Sequence, residues 1–286
     1  MNSGALAGRT AIVTGASRGI GEAIARRFAA AGACLALAAR TRADLDRVAE
    51  ACRLEGADCS IHVVDVGDRN QVREFARSVG QVDVLVNCAG VIGPVGPALE
   101  NDLDEWDRCL RVNLMGTLYT CREVMPGMVD RGRGSVINLS GGGAVAPRAN
   151  FSSYAVSKAG VVRLTETLAS ELSGTGVRVN AIAPGPVDTH IQDGILAAGE
   201  RVGEEYMVAR QMRDTGQGGV PASVAAELAL FLASDASSGL TGKLISAVHD
   251  PWKSWNKAQL DSLAATGWYT MRRLDPFTVG RLDGRL

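Results

Sequence analysis

A doubly wound α/β fold, with a parallel sheet covered by helices on both faces, is predicted by three features of the 286-residue sequence. Short apolar runs rich in β-branched residues recur along the chain, and the stretches between them carry apolar residues at helical spacing. Strands buried on both faces read as continuous apolar runs, whereas half-exposed strands alternate. The third feature is a glycine-rich turn directly after the first run, where a strand must pass tightly into a helix.

The elements follow in order. Residues 10–14 (TAIVT) form the first strand, and residues 20–31 place Ile24, Phe28 and Ala31 on one helical face. Gly32 separates that helix from a second strand at residues 34–39, after which comes a polar helix rich in Arg, Asp and Glu. Residues 61–66 (IHVVDV), 82–86 (VDVLV), 135–139 (SVINL) and 177–182 (VRVNAI) read as the third to sixth strands. Leu240-Thr241-Gly242-Lys243 begins a last one. No repeat, low-complexity segment or Pro/Gly/Ser-rich linker divides the chain, so residues 1–248 are expected to form one domain. Residues 249–286 hold three of the four tryptophans and are too short to build a core of their own, so they read as an appendage.

The balance of charge excludes some functions. Thirty Lys and Arg stand against thirty-one Asp and Glu, with no basic cluster of the kind a polyanion needs, so nucleic acid is not an expected partner. The longest apolar stretch, residues 28–39, falls short of the roughly 20 residues of a membrane helix, and no signal-like segment opens the chain. Cys34, Cys52, Cys59, Cys88, Cys109 and Cys121 include no CxxC pair and no neighbouring His. They read as reduced, buried thiols of a cytoplasmic protein, and no metal is expected.

The chemistry starts at Thr14-Gly15-Ala16-Ser17-Arg18-Gly19-Ile20-Gly21. Glycines between strand and helix let the backbone approach a pyrophosphate, whose charge then meets the helix N-terminus. Further motifs come in fixed order: Asn87-Cys88-Ala89-Gly90 after the fourth strand, Asn113 in the next helix, Tyr154-Ala155-Val156-Ser157-Lys158, and Pro184-Gly185 after the sixth strand. With its TGxxxGIG turn and YxxxK pair, the chain over residues 8–245 resembles the short-chain dehydrogenase/reductase family. The resemblance implies a Rossmann-like sheet. It also implies that Gly15, Ser17, Arg18 and Ile20 touch the cofactor's phosphates and ribose, and that Asp65 and Val66 flank the adenine. Asn87, Ala89 and Gly90 would line the cleft, and Val187 and Thr189, just past Pro184, would meet the nicotinamide carboxamide.

Cofactor choice follows from charge. NAD-binding folds usually end the second strand with an acid that accepts from the ribose 2′-hydroxyl and repels a 2′-phosphate. Here that place reads Ala38-Ala39-Arg40-Thr41, with Arg18 nearby in the glycine loop. Two guanidinium groups suit a phosphate, so NADP(H) is the expected cofactor. The bland alternative makes Arg40 a solvated loop residue.

Tyr154 and Lys158, four residues apart on a helix, present both side chains on one face. A phenol titrates near 10, and lowering it by about three units takes about 4 kcal/mol, which a cation about 4 Å away supplies at an effective dielectric near 20. The resemblance implies that Tyr154 protonates the substrate oxygen as hydride arrives, that Lys158 also holds the nicotinamide ribose, and that Asn113 anchors a relaying water. One departure matters. The family's serine, thirteen residues before the tyrosine, is Gly141 here, and Ser140 precedes it within Ser140-Gly141-Gly142-Gly143. Either the glycines shift the chain so that Ser140 contacts the substrate carbonyl, which is the favoured reading, or the contact is lost. Ser152 and Ser153 are weaker substitutes.

The expected activity is carbonyl–alcohol interconversion, as a ketone reductase, on a small-molecule substrate. Rival readings are a catalytically weak NADP(H)-binding regulatory protein and, less favoured, a sugar-nucleotide epimerase or dehydratase. Residues 188–219 take the place of the family's substrate loop and carry His190, Glu200, Arg201, Glu204, Glu205, Tyr206, Met207 and Met212. The resemblance implies a homotetramer or homodimer. In the appendage, Trp252, Trp255, Trp268, Tyr269 and Phe277 are too many large rings to leave in water. They are expected to dock over the substrate cleft, with Arg272 and Arg273 facing a polar substrate, or across a subunit boundary.

Overall fold

The computed structural model describes residues 4–187, 195, 198–204, 206–208, 211 and 219–273. Strand β1 (Thr10–Thr14) leads through α1 (Gly19–Ala29) to β2 (Cys34–Ala39), and α2 (Arg42–Leu54) leads to β3 (Cys59–Val63). Helix α3 (Arg69–Val79) then crosses to β4 (Val84–Asn87). Helices α4 (Leu103–Leu110) and α5 (Gly116–Asp130) precede β5 (Gly134–Leu139), and α6 (Ser152–Glu171) precedes β6 (Val177–Ala183). Helix α7 (Ala222–Ala233), β7 (Leu244–Ser246) and α8 (Lys257–Ala265) complete the described elements.

All seven strands are parallel, in the order β3-β2-β1-β4-β5-β6-β7. The order reverses between β1 and β4, and ligands of open α/β sheets bind at such a switch point, beyond the carboxyl ends of the strands. One face of the sheet packs on α1, α2 and α7 through Ile24, Phe28, Leu45, Val48, Leu228 and Leu232, all fully buried. The other packs on α3, α5 and α6 through residues such as Val72, Phe75, Cys121 and Met128. No helix among the described residues is long and apolar enough to cross a membrane.

Several element ends differ from the sequence reading, among them the fourth strand, which runs from Val84 to Asn87, and two of the differences have a local cause. The third strand, expected at residues 61–66, runs from Cys59 to Val63. The chain leaves the ladder where the Asp65 N–H donates to Gln71 Oε1 and the Asp65 carboxylate accepts from the Gly67 N–H, a local turn that competes with the sheet. The last strand begins at Leu244, since Thr241 and Gly242 form the bend before it.

The tail docks on its own domain. Trp252 is buried, donates from its indole N–H to Ala247 O at 3.1 Å, and tilts onto Phe231 of α7 at 5.7 Å between ring centres. Trp255 sits between Phe231 and Tyr269. Helix α8 starts with a capping box of Asn256 and Gln259, and the chain beyond it returns along β7, where the Leu244 N–H donates to Tyr269 O at 2.8 Å. Buried Lys243 clamps the return by donating to Thr266 O and Trp268 O. The Met271 N–H donates to Glu166 Oε1. The segment thus covers an edge strand, whose free N–H and C=O groups would otherwise pair elsewhere. Arg272 and Arg273 are exposed, and Phe277 lies outside the described residues.

Candidate active site

A cleft of about 430 Å³ opens at the switch point. Its wall contains Gly15, Ser17, Arg18 and Ile20 of the glycine loop, Arg40 beyond β2, and Asp65 and Val66 beyond β3. Ala89 and Gly90 beyond β4, Ser140 beyond β5, Tyr154 and Lys158 of α6 and Pro184 beyond β6 also line it. Most of the residues expected from the sequence therefore meet in one place, while Asn87, Asn113 and Val187 do not line it. Cys88, Thr41, Ile92 and Leu139 line it as well and were not singled out.

The glycine loop is shaped for close approach. A Cβ on Gly15 would come within 2.7 Å of the Ala89 backbone, and one on Gly21 would collide with the Gly15 carbonyl. No side chain caps the N-terminus of α1, whose N-cap residue Arg18 is extended, so its first N–H groups point outward. Beneath the loop, Thr14 Oγ1 donates to Val86 O and accepts from the N–H groups of Cys88 and Ala89. One hydroxyl therefore ties the two central strands together at the switch point. These features fit a dinucleotide cofactor: an uncapped helix end and bare glycines for the pyrophosphate, with exposed Arg40 where an NAD-type acid would stand and exposed Arg18 in the glycine loop.

Asn87 does something other than line the cleft. Its amide is buried, donating to Asn138 Oδ1 at 2.9 Å and accepting from Thr120 Oγ1 at 2.6 Å, and Asn138 in turn donates to Thr165 Oγ1. This polar ladder joins β4, β5, α5 and α6 and sets their spacing. Val187 is buried and bridges to Val220, while Thr189, His190, Glu205 and Met212 lie outside the described residues.

Asn113 occupies a π-helical turn, Arg111–Met115, between α4 and α5, a widening often found at functional positions. Its Oδ1 accepts from the Val91 N–H at 2.8 Å, and its Nδ2 donates to Val91 O at 2.9 Å and Ser157 Oγ at 3.0 Å. The side chain thereby fixes the strand-four loop against the tyrosine helix.

Tyr154 and Lys158 share a face of α6, both buried. Lys158 Nζ donates to Leu139 O at 2.8 Å and lies 5.7 Å from the Tyr154 ring centre. Burial pushes the Tyr154 phenol up to about 12, and the Arg148 guanidinium draws it part of the way back. Burial pushes Lys158 down to about 8. The expectation that Lys158, helped by an oxidised nicotinamide, draws the phenol toward neutrality takes the cation at about 4 Å, whereas Lys158 Nζ lies 5.7 Å from the ring centre. A unit charge about 6 Å away at an effective dielectric near 20 is worth about 3 kcal/mol, or about two pK units, which only offsets the rise from burial. Arg148 was not singled out in the sequence, since nothing near it forms a motif.

The serine question has a geometric side. A Cβ on Gly141 would fall inside the van der Waals shell of Tyr154 Oη, so the hydroxyl sits where the family's serine would begin. Ser140 continues β5, its N–H donating to Ile182 O at 2.8 Å, and its buried Oγ has no hydrogen-bond partner among the described residues. Ser153 Oγ is likewise buried and unpartnered there, packed toward Gly93.

Comparison with known proteins agrees with this geometry. The pattern of the family described as short chain dehydrogenase matches residues 9–198. The chain is 42% identical over 255 residues to galactitol 2-dehydrogenase (L-tagatose-forming) of Cereibacter sphaeroides, covering 87% of this chain and 97% of that one. It is 35% identical to 2-keto-3-deoxy-L-fuconate dehydrogenase of Xanthomonas campestris pv. campestris, over 83% of this chain and 78% of that one. The crystal structure of an NAD+-bound xylitol dehydrogenase superposes with a TM-score of 0.77 at 27% identity, over 84% of this chain and 98% of that one.

Proposed function

The chain belongs to the short-chain dehydrogenase/reductase family, and on that premise we propose that it is an NADP(H)-dependent oxidoreductase interconverting a ketone and a secondary alcohol, working as a ketone reductase. The observation that carries this reading is the meeting of Tyr154, Lys158 and Ser140 at the floor of a cleft whose rim is a glycine loop and two free-standing arginines. Galactitol, xylitol and a keto-deoxy sugar acid appear in the names of the similar proteins. A polyhydroxylated ketone is accordingly the proposed substrate class.

Gly15, Ser17, Ile20 and the N-terminus of α1 hold the pyrophosphate, Asp65 and Val66 the adenine, and Pro184, Val187 and Thr189 the nicotinamide side. The nicotinamide, when bound, supplies or accepts the hydride. Tyr154 Oη holds the proton given to the substrate oxygen in reduction. Lys158 carries three N–H donors, of which one is committed to Leu139 O, and the remaining two serve the ribose and the tyrosine side. Asn113 keeps the Val91 loop in register with α6 and orients the water that relays the proton. Ser140 Oγ, buried without a partner among the described residues, is the donor offered to the substrate carbonyl. A homo-oligomer, tetramer or dimer, is part of the proposal, supported by an apolar groove across α5 and α6 lined by Leu118, Met125, Val129 and Leu168.

Incubation with NADPH or NADH and a panel of ketoses, followed by loss of nicotinamide absorbance, tests the reading. NADPH-dependent turnover supports it, and its absence with every ketose rejects it. Two variants refine it. Arg40→Asp is expected to lower NADPH affinity sharply and leave NADH affinity equal or better, because a carboxylate repels the 2′-phosphate and accepts from the hydroxyl. Titration of both cofactors checks this, and equal losses would remove Arg40 from that role. Ser140→Ala is expected to lower turnover about a hundredfold with cofactor affinity intact, the scale of losing one oxyanion contact. Steady-state rates within a few-fold of the parent would reassign the contact to Ser153 or a backbone N–H.

A further inference from the structure

We propose that Asn150 is a positioning residue for the reaction. It joins three chain segments that wall the substrate side of Tyr154, and so sets how tightly the substrate is held without affecting the cofactor. The proposal rests on the hydride-transfer reading above and adds to it the residue that keeps the substrate side assembled.

The join begins with the backbone. Asn150 stands just before α6 with φ 65°, in the left-handed region that few residues other than Gly, Asn and Asp enter. Among the described residues only Tyr269 is a second non-glycine residue there. The turn aims two polar groups of one residue in different directions. The Asn150 carbonyl accepts from the Gly96 N–H at 2.9 Å, and Asn150 Nδ2 donates to Val202 O at 3.3 Å. The loop after β4, the approach to α6 and residues 198–204 therefore meet at one side chain. The contact is close, since a Cβ on Gly203 would lie 2.7 Å from Asn150 Nδ2. A second stitch ties the first and last of these segments. Arg201 Nη2 donates to Asn101 Oδ1 at 3.4 Å, and Asn101 Nδ2 donates to Gly96 O at 3.2 Å.

The simplest structural role, capping α6, does not fit. The N-cap residue of that helix is Phe151, and no side chain caps it. The amide of Asn150 is spent on residue 202 instead.

The joined positions all sit against one apolar cluster. Gly96 follows Val95, Asn150 precedes Phe151, and Val202 is itself a member. Val95, Phe151 and Val202 belong there with Tyr154, Cys109, Ile195 and Tyr206. Tyr154 also lines the cofactor cleft, as does Ile92 of the loop after β4, which packs on the same cluster. A shift at the join is thus passed to the packing beside the reacting hydroxyl. The glycine loop, Arg40 and Asp65 line the cleft from other parts of the chain, so cofactor affinity should not follow. Lys158 and Asn113 keep their own hydrogen bonds, to Leu139 O and to Val91 and Ser157.

Two variants of the full chain separate the turn from the amide. Asn150→Gly keeps the turn and removes the donor to Val202. Asn150→Asp keeps the size and tolerates the turn, but sets a carboxylate, which only accepts, against the Val202 carbonyl. With NADPH and the ketose of fastest turnover, Asn150→Gly is expected to raise the ketose KM about tenfold, the scale of one hydrogen bond. Asn150→Asp should raise it further. In both, kcat and NADPH affinity should stay within about threefold of the parent, the pattern of lost substrate binding. Amide exchange read by mass spectrometry needs no turnover. Residues 198–204 of Asn150→Gly should exchange at least about tenfold faster than in the parent, with β1 unchanged. Melting curves accompany both variants. A purely structural residue would lower stability and weaken cofactor and ketose together. An unchanged ketose KM, cofactor affinity falling in step with it, Asn150→Asp equal to Asn150→Gly, or unchanged exchange at residues 198–204 would each overturn the proposal. Failure of the hydride-transfer reading would show separately, as no turnover of any ketose by the parent, and exchange would still decide whether Asn150 makes the join.

Discussion

Tyr154→Phe is expected to lower turnover about 10³-fold while leaving NADPH affinity within a few-fold of the parent. Positioned proton transfer contributes about 10²–10⁴ to rate, and the phenol oxygen is the only atom this substitution removes. The ring stays, so the packing with Phe151, Val95 and Cys109 is kept and the variant should fold. Burial holds the phenol protonated through the neutral range, which suits donation to a ketone. The reverse reaction needs the phenolate and so needs more positive charge than Lys158 alone provides. Oxidation should accordingly gain more from rising pH than reduction does. Single-turnover rates at fixed, saturating cofactor separate the chemical step from binding. A loss confined to KM would mean that the hydroxyl binds substrate without moving a proton.

Gly141→Ala is expected to lower turnover about a hundredfold and to destabilise the fold by about 1–3 kcal/mol, the usual range for overpacking a filled site. The added methyl would overlap Tyr154 Oη and come within about 3.0 Å of the ring carbon that bears it. The ring is buried among the side chains of its cluster, so either the hydroxyl is displaced or the loop moves. A displacement of about 1 Å at a reacting atom can cost a hundredfold in rate. Gly141→Ser should fare no better, because its Cβ meets the same oxygen. Kinetics and thermal melts of both variants check this. A serine variant faster than the parent would show that the loop re-forms the family arrangement and that Ser140 is not needed.

Much of the fold was legible because buried parallel strands leave a continuous apolar signature, and six such runs coincided with strands. Their ends were less legible. Residues 64–66 look as apolar as the strand before them, yet side-chain hydrogen bonds of Asp65 and Gln71 turn the chain into the cleft. The cofactor loop was legible because tight backbone approach admits only glycine at Gly15 and Gly21. The direction of the Asn87 side chain was not legible, for the opposite reason. A motif fixes a residue's place in the chain, whereas the direction of its amide depends on Asn138 and Thr120, which no local pattern announces. The tail's rings were expected over the substrate cleft or across a subunit boundary, whereas Trp252, Trp255 and Tyr269 pack at α7 and β7 and Trp268 stays half exposed. Their site depends on Phe231, Lys243 and Glu166, all distant in sequence. Arg148 escaped notice because its approach to Gly142 and Gly143 comes entirely from the way the chain folds back.

The central claim, that this cleft moves hydride between cofactor and substrate carbon with Tyr154 supplying the proton, is tested most directly by isotope transfer. NADPH deuterated at C4 on the transferred face is incubated with the parent protein and with Tyr154→Phe, using the ketose or keto acid that gives the fastest turnover. Product is then analysed by mass spectrometry. The account predicts one deuterium on the carbinol carbon with the parent protein, and product falling about 10³-fold with the variant. Unlabelled alcohol from the parent, or labelled alcohol formed equally fast by Tyr154→Phe, would contradict it.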